Sequence, residues 1–133
     1  MIKFDVCVLI INDNNEFLSV SLKNDHNDMN LPGGKVEKNE SNINAAIREV
    51  KEETGLDVYN IKKLHEDIDD DNNEYFVTTY FTNKYSGNIY TEENHIVKWL
   101  PIENLKFSKR WKTYNTNVYN KYNKYKLQNP YKL

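Results

Sequence analysis

Three carboxylates and one arginine within six residues are the part of this sequence best placed to do chemistry: Arg48-Glu49-Val50-Lys51-Glu52-Glu53. On a helix, Glu49 stands one turn from both Glu52 and Glu53, so all three acids share a face. Like charges at that spacing cost a helix about 0.2–0.5 kcal/mol per pair, and Arg48, four before Glu52, offsets only part of this. Such a face calls for a compensating cation, and a hard divalent ion such as Mg2+ takes oxygen ligands. The plainer alternative is a solvated acidic face on a surface helix.

The residues around the run narrow the choice. Gly34 is followed after five residues by Glu40, after seven more by Arg48-Glu49-Val50, then by Glu52-Glu53 and Gly55-Leu56. This spacing resembles the Nudix box of the Nudix hydrolase family, with every fixed position matched. The resemblance implies hydrolysis of a nucleoside diphosphate linked to another moiety, by water and without a covalent enzyme intermediate. It implies Mg2+ as cofactor, with Mn2+ as its substitute. Glu52 and Glu53 would be the core metal ligands, and Glu49 a further ligand and candidate base. The carbonyl of Gly33 would join them, with Gly34 beside it at the substrate. Arg48 would orient Glu49 by a salt bridge, and Glu40 would either assist the metal or hold the loop. In some members the base lies on a later loop; here Glu93, six before Trp99, is the first candidate and Glu92 the next.

Outside the box the chain is similar to the MutT-like group, which clears modified nucleoside triphosphates. The stretch Asp28-Met29-Asn30-Leu31-Pro32-Gly33-Gly34 resembles that group's segment before the glycines, with Met29 in place of an aromatic residue. Met29 and Asn30 would then face the substrate, Asn30 through an amide that both donates and accepts. The segment from Trp99 to Trp111 resembles one leading to a base-stacking tryptophan, so Trp111 would either stack on a purine or pack in the core. Animal members place two aspartates shortly afterwards; this sequence has Thr113 and Tyr114 there, so the resemblance implies triphosphate hydrolysis without implying recognition of oxidised guanine. Dinucleoside polyphosphate hydrolysis is an alternative, with Tyr75 loosely placed for it. A nucleotide-binding module that has lost activity is another, although all the box glutamates are retained.

Several elements must position these groups. Phe4–Ile11 is an apolar, β-branched run expected to be a buried strand. Asn12–Asn15 is a turn, and the alternating Glu16–Leu22 is expected to be the hairpin partner. Leu31-Pro32-Gly33-Gly34 is a tight segment where glycine permits close approach to a ligand. The box helix is expected to begin near Glu40-Ser41, capped by Ser41, and to end at Thr54 with Gly55 in the left-handed conformation. Ile43, Ala46, Ile47 and Val50 would form its buried side. Asp57–Asp67 and Tyr75–Tyr85 read as strands, separated by an acidic turn at 69–73. A turn at 86–88 and the polar 92–95 stretch precede a short strand, Ile96–Leu100. Trp111, Tyr114, Val118, Tyr122 and Tyr125 recur at helical spacing and predict a C-terminal helix docked on the sheet. Two helices covering the faces of a mixed sheet give an α/β/α sandwich, the fold the resemblance also implies.

At 133 residues the chain is long enough for one domain with a sizeable core, so 1–133 is expected to be a single unit. Its net charge of −2 supplies no basic footprint for duplex nucleic acid. The lone Cys7 has no partner for an internal disulfide and is expected in the core. No long apolar run or signal-peptide pattern is present, which predicts a soluble, cytoplasmic protein with a small nucleotide as its partner. A homodimer is left open.

Overall fold

Strand β1 (Lys3–Ile10) is the element on which the layers are built. In this computed structural model, which describes residues 2–69, 74–91 and 94–130, β1 lies between two neighbours. It pairs in parallel with β7 (Tyr75–Thr82) and antiparallel with β4 (Gly33–Lys35), and β6 (Lys62–Ile68) adds to the far edge of β7. A strand covered on both faces must be apolar on both, and this one is from Val6 to Ile10. Val6, Val8 and Ile10 pack with Ala45, Ala46 and Val50 of helix α1 (Asn42–Thr54). Leu9, with Ile11 just beyond the strand, packs with Tyr114, Val118 and Tyr122 of helix α2 (Lys112–Gln128). The two helices therefore cover opposite faces of a mixed sheet, which is the α/β/α sandwich expected from the sequence.

A second, antiparallel sheet has the order β3 (Met29–Asn30), β2 (Glu16–Ser21), β9 (Val97–Pro101). Here the structure corrects the hairpin expectation. The Asn12 side chain does turn the chain, accepting the amides of Asn14 and Glu16 at 3.0 Å, with Asn15 at φ 57°. Pairing then stops after one bridge, Ile11 to Phe17. Both edges of β1 are already taken, and β2 has two buried faces to satisfy: Phe17 joins the core beneath α2 while Leu18 joins the core beneath α1.

The single strand expected over 57–67 is two, β5 (Asp57–Tyr59) and β6, broken at Asn60 with φ 52°. The 75–85 strand also divides, because β8 (Lys84–Ser86) leaves β7 to pair with β5. Thr82 marks the division: its hydroxyl donates to the Tyr59 carbonyl at 2.6 Å and accepts the Lys84 amide at 3.0 Å. The acidic turn expected at 69–73 falls mostly outside the described residues.

The ends of α1 are as expected. Ser41 accepts the Asn44 amide at 3.1 Å, and Gly55 closes the helix at φ 82°. Its buried face is rotated from the expected one: Ala45, Ala46, Val50 and Thr54 are buried, while Ile43 is exposed. Two adjacent alanines let the helix backbone lie close to β1. The C-terminal helix starts at Lys112, later than the pattern from Phe107 suggested, after a 3-10 segment (Ile102–Phe107) that buries Ile102 and Leu105. Among the described residues no helix is long and apolar enough to cross a membrane.

Candidate functional site

Helix α1 and the glycine pair meet edge to edge. Glu53 Oε1 accepts the Gly33 amide at 2.6 Å, tying the last helical turn to β4. Gly34 lies directly against the Glu49 carboxylate: a methyl group there would stand 2.5 Å from the Glu49 Cδ. Glycine is required at this position because the carboxylate occupies the space of a side chain.

Arg48 organises the acids. Its Nε and Nη2 form a fork on Glu40, at 2.8 and 3.0 Å. Nη1 donates to Glu49 at 2.8 Å and lies 3.3 Å from Glu52, and Nη2 also donates to the Lys35 carbonyl at 3.0 Å. The hydrogen bonds from Arg48, and the Glu37 amide after them, hold the Glu40 carboxyl below its ordinary range. The salt bridge expected between Arg48 and Glu49 is present. Glu40 anchors the arginine, which favours the loop-holding role over the metal-assisting one.

Beside the glycine pair opens a cleft of about 210 Å³. Among the residues expected at the substrate, Asn30, Gly34 and Trp111 line it, together with Gly33 and Glu53. Glu53 thus belongs both to the acidic face and to the cleft wall. Met29 is not among the lining residues; it is the neighbour of Asn30 on β3, and successive side chains on a strand point to opposite faces. Trp111 lies at the boundary between cleft and core. It lines the cleft, while its ring packs edge-on to Tyr75 at 5.7 Å and carries the Arg110 guanidinium 4.0 Å away. Thr113 and Tyr114 do not substitute for an aspartate pair. Tyr114 is buried, and its hydroxyl donates to the Val77 carbonyl at 3.0 Å. Its one proton is spent there, so the Thr79 hydroxyl donates to Tyr114 at 2.8 Å and the Cys7 thiol to Thr79 at 3.0 Å. Burial pushes the Cys7 thiol up to about 12 and raises the Tyr114 phenol as well.

Three further groups join the site that the sequence did not mark. Asn115 lines the cleft one helical turn after Trp111, and that i, i+4 spacing was the available signal. Its Nδ2 donates to Asn30 Oδ1 at 3.1 Å and to Ser108 at 3.0 Å, so the two amides form a pair at the cleft wall. Asn30 in turn donates to Asp28, which is buried and accepts the Lys109 and Arg110 amides at 2.8 and 2.9 Å. This network seats the loop carrying Trp111. His95 is the third. Its Nδ1 lies 2.7 Å from the Ser21 carbonyl and must carry the proton there, leaving Nε2 facing Glu53 at 3.4 Å. Nothing in a polar loop singles out one histidine for this. The base candidates Glu92 and Glu93 lie outside the described residues.

The comparison with known proteins decides the family: the NUDIX domain model matches residues 1–122. The chain belongs to the Nudix family. The 8-oxo-dGTP diphosphatase of Buchnera aphidicola (subspecies Schizaphis graminum) is 31% identical over 83 residues, and the match spans 58% of each protein. This Nudix chain thus covers little more than half the length of that curated relative. Among solved structures, the MutT Nudix hydrolase of Burkholderia pseudomallei superposes with a TM-score of 0.75, over 91% of this chain and 98% of that one, at 20% identity. A MutT structure from work on Aliivibrio salmonicida and Vibrio cholerae gives 0.75 over 91% and 97%, at 21% identity. These likenesses bear on the fold, which is the MutT-like Nudix fold.

Nudix hydrolases generally use divalent metal ions. Among the described residues no group of three or more His, Cys, Asp or Glu side chains is gathered closely enough to hold one as it stands. The donor chemistry nonetheless fits. Glu49, Glu52 and Glu53 supply only hard oxygen atoms on one helix face, and the side chains of Glu49 and Glu53 are mostly buried, at 14% and 12% exposure. Arg48 Nη1 bonds one carboxylate oxygen of Glu49 at 2.8 Å and lies 3.3 Å from Glu52.

Proposed function

We propose that this Nudix chain hydrolyses a nucleoside triphosphate to the monophosphate and pyrophosphate in an Mg2+-dependent reaction. The observation that carries this reading is the double membership of Glu53: one carboxylate bonds the Gly33 amide, stands on the acidic face of α1, and lines the cleft. A nucleoside seated in the cleft would therefore hold its phosphates against the acids. Ligand pockets usually run to about 300–1,000 Å³, so a cleft of about 210 Å³ suits a base and sugar with the phosphates outside it.

Glu49, Glu52 and Glu53, with the Gly33 carbonyl, would hold the ion. Bound there, a divalent cation neutralises phosphate charge and makes water a better nucleophile. The rest falls to the chain itself. Arg48 keeps Glu49 placed through the 2.8 Å bond, and Glu40 keeps Arg48 placed. Trp111 offers a ring to the base, while Asn30 and Asn115 offer an amide pair. We assign the base to Glu93, as the family resemblance implies; His95, a described residue, lies 3.4 Å from Glu53. The Buchnera relative's name makes 8-oxo-dGTP the first modified nucleotide to try.

The test is product identity. Incubated with Mg2+ and a panel of triphosphates and dinucleoside polyphosphates, the wild type should release pyrophosphate plus monophosphate from a triphosphate. Glu53→Gln keeps an oxygen for the Gly33 amide and should stay folded, yet lose about 10²-fold or more in kcat. Release of ATP plus AMP from a dinucleotide, with triphosphates untouched, would overturn the substrate assignment. Full activity in Glu53→Gln would overturn the site.

A further inference from the structure

Asp5 is an acid in the cleft for which the hydrolytic chemistry has no use. It sits on β1, on the face shared with Cys7 and Leu9, and lines the same cleft as Trp111 and Asn115. It is half-buried. Among the described residues its carboxylate makes no hydrogen bond or ion pair; Lys3, Arg110 and Lys35 act on it only from a distance. Arg110 is engaged elsewhere, with Asp69 at 2.9 Å and over the Trp111 ring. Burial accordingly raises the Asp5 carboxyl above its usual range, against the pull of those three cations. A partly desolvated carboxylate without a protein donor is poorly compensated, and a ligand bringing N–H groups into the cleft offsets that cost.

We propose that Asp5 selects the base of the bound nucleotide, its carboxylate accepting the two adjacent N–H donors of a 2-amino-6-oxopurine. This rests on the nucleotide reading above. An ionised carboxylate only accepts. Adenine sets a ring acceptor beside its amino group, and uracil and thymine flank one ring N–H with two carbonyls, so each would oppose a lone pair to the acid. Guanine presents its ring N–H and amino N–H side by side. Oxidation at the far side of the purine leaves that edge unchanged. Asp5 therefore separates guanine from adenine without separating oxidised from unoxidised guanine.

The test compares kcat/KM for GTP, ITP, ATP, dGTP and 8-oxo-dGTP in the wild type and in Asp5→Asn, with calorimetric binding of GMP and AMP alongside. Asp5→Asn is close to isosteric, and its circular dichroism reports that it is folded. The GTP-to-ATP ratio should fall by about tenfold or more, mostly through KM. The GTP-to-ITP ratio should fall with it, since ITP lacks the 2-amino group, while the ratio of 8-oxo-dGTP to dGTP stays as in the wild type. Triphosphate hydrolysis with base ratios unmoved by Asp5→Asn would overturn the inference and leave the activity reading standing. If no triphosphate is hydrolysed but GMP binds better than AMP and Asp5→Asn removes the difference, the activity reading fails and the inference stands. Absence of both hydrolysis and GMP binding overturns both.

Discussion

Replacing each glycine of the Gly33-Gly34 pair by alanine separates chemistry from folding. At Gly34 the new methyl would sit 2.5 Å from Glu49 Cδ and 2.6 and 2.7 Å from its two carboxylate oxygens. Ordinary contact between such atoms is about 3.5 Å, so the carboxylate must retreat by about 1 Å. That retreat takes Glu49 off its 2.8 Å bond to Arg48. A displacement of about 1 Å at a catalytic group costs about 10²-fold in rate. What yields is the end of a flexible side chain, so Gly34→Ala should change stability by less than about 1 kcal/mol. At Gly33 the methyl would run into the Val6 carbonyl and lie 2.7 Å from both Cα and Cβ of Cys7. Those atoms belong to the central strand and cannot move away alone. Gly33→Ala should therefore lose about 3 kcal/mol or more of stability. Chemical denaturation measures the one effect and pyrophosphate release the other. Wild-type turnover in a folded Gly34→Ala protein would refute the reasoning, as would a Gly34→Ala protein destabilised as much as Gly33→Ala.

Tyr114→Phe removes the donor to the Val77 carbonyl and the acceptor for Thr79 in one step. It should destabilise the fold by about 1–3 kcal/mol in urea unfolding. Glu40 has a folded-state carboxyl below its ordinary 4.5, chiefly through the Arg48 hydrogen bonds. The unfolded chain takes up that proton first, so the stability it contributes is complete above about pH 4.5 and is lost as pH falls through the folded value. The advantage of wild type over Glu40→Gln in unfolding midpoint should accordingly shrink between about pH 5 and pH 3. Cys7, with its thiol pushed up to about 12 by burial, should react with iodoacetamide in the native protein more than about 100-fold slower than in the unfolded chain.

The box was legible because its constraints are local. Ser41, Gly55 and the spacing of Glu49, Glu52 and Glu53 fix a helix and its acidic face within a few turns of sequence. Burial of β1 was legible for a similar reason, since a run this apolar must have at least one face in the core; that both faces are covered came from the structure. Strand partners were less so. Whether β2 pairs with β1 depends on β4 and β7 having already filled the edges of β1, which no local pattern carries. The split at Asn60 turns on one left-handed residue within a run that otherwise alternates like a single strand. At the site, Asn30, Glu53 and Trp111 were readable, whereas Asn115, Asp28 and His95 enter through contacts across 80 or so positions, as in the Asp28 to Lys109 bond. Asp5 goes unmarked within the apolar run Phe4–Ile11, because the cleft beside it is built from residues distant in the chain.

The most direct test of the acidic face is an Mn2+ titration followed by electron paramagnetic resonance, in the wild type and in Glu49→Gln, Glu52→Gln and Glu53→Gln, with Mg2+ as competitor. The account predicts saturable Mn2+ binding that Mg2+ displaces and that weakens in each of the three variants. Binding of equal strength in all four proteins, or none in the wild type, would contradict it.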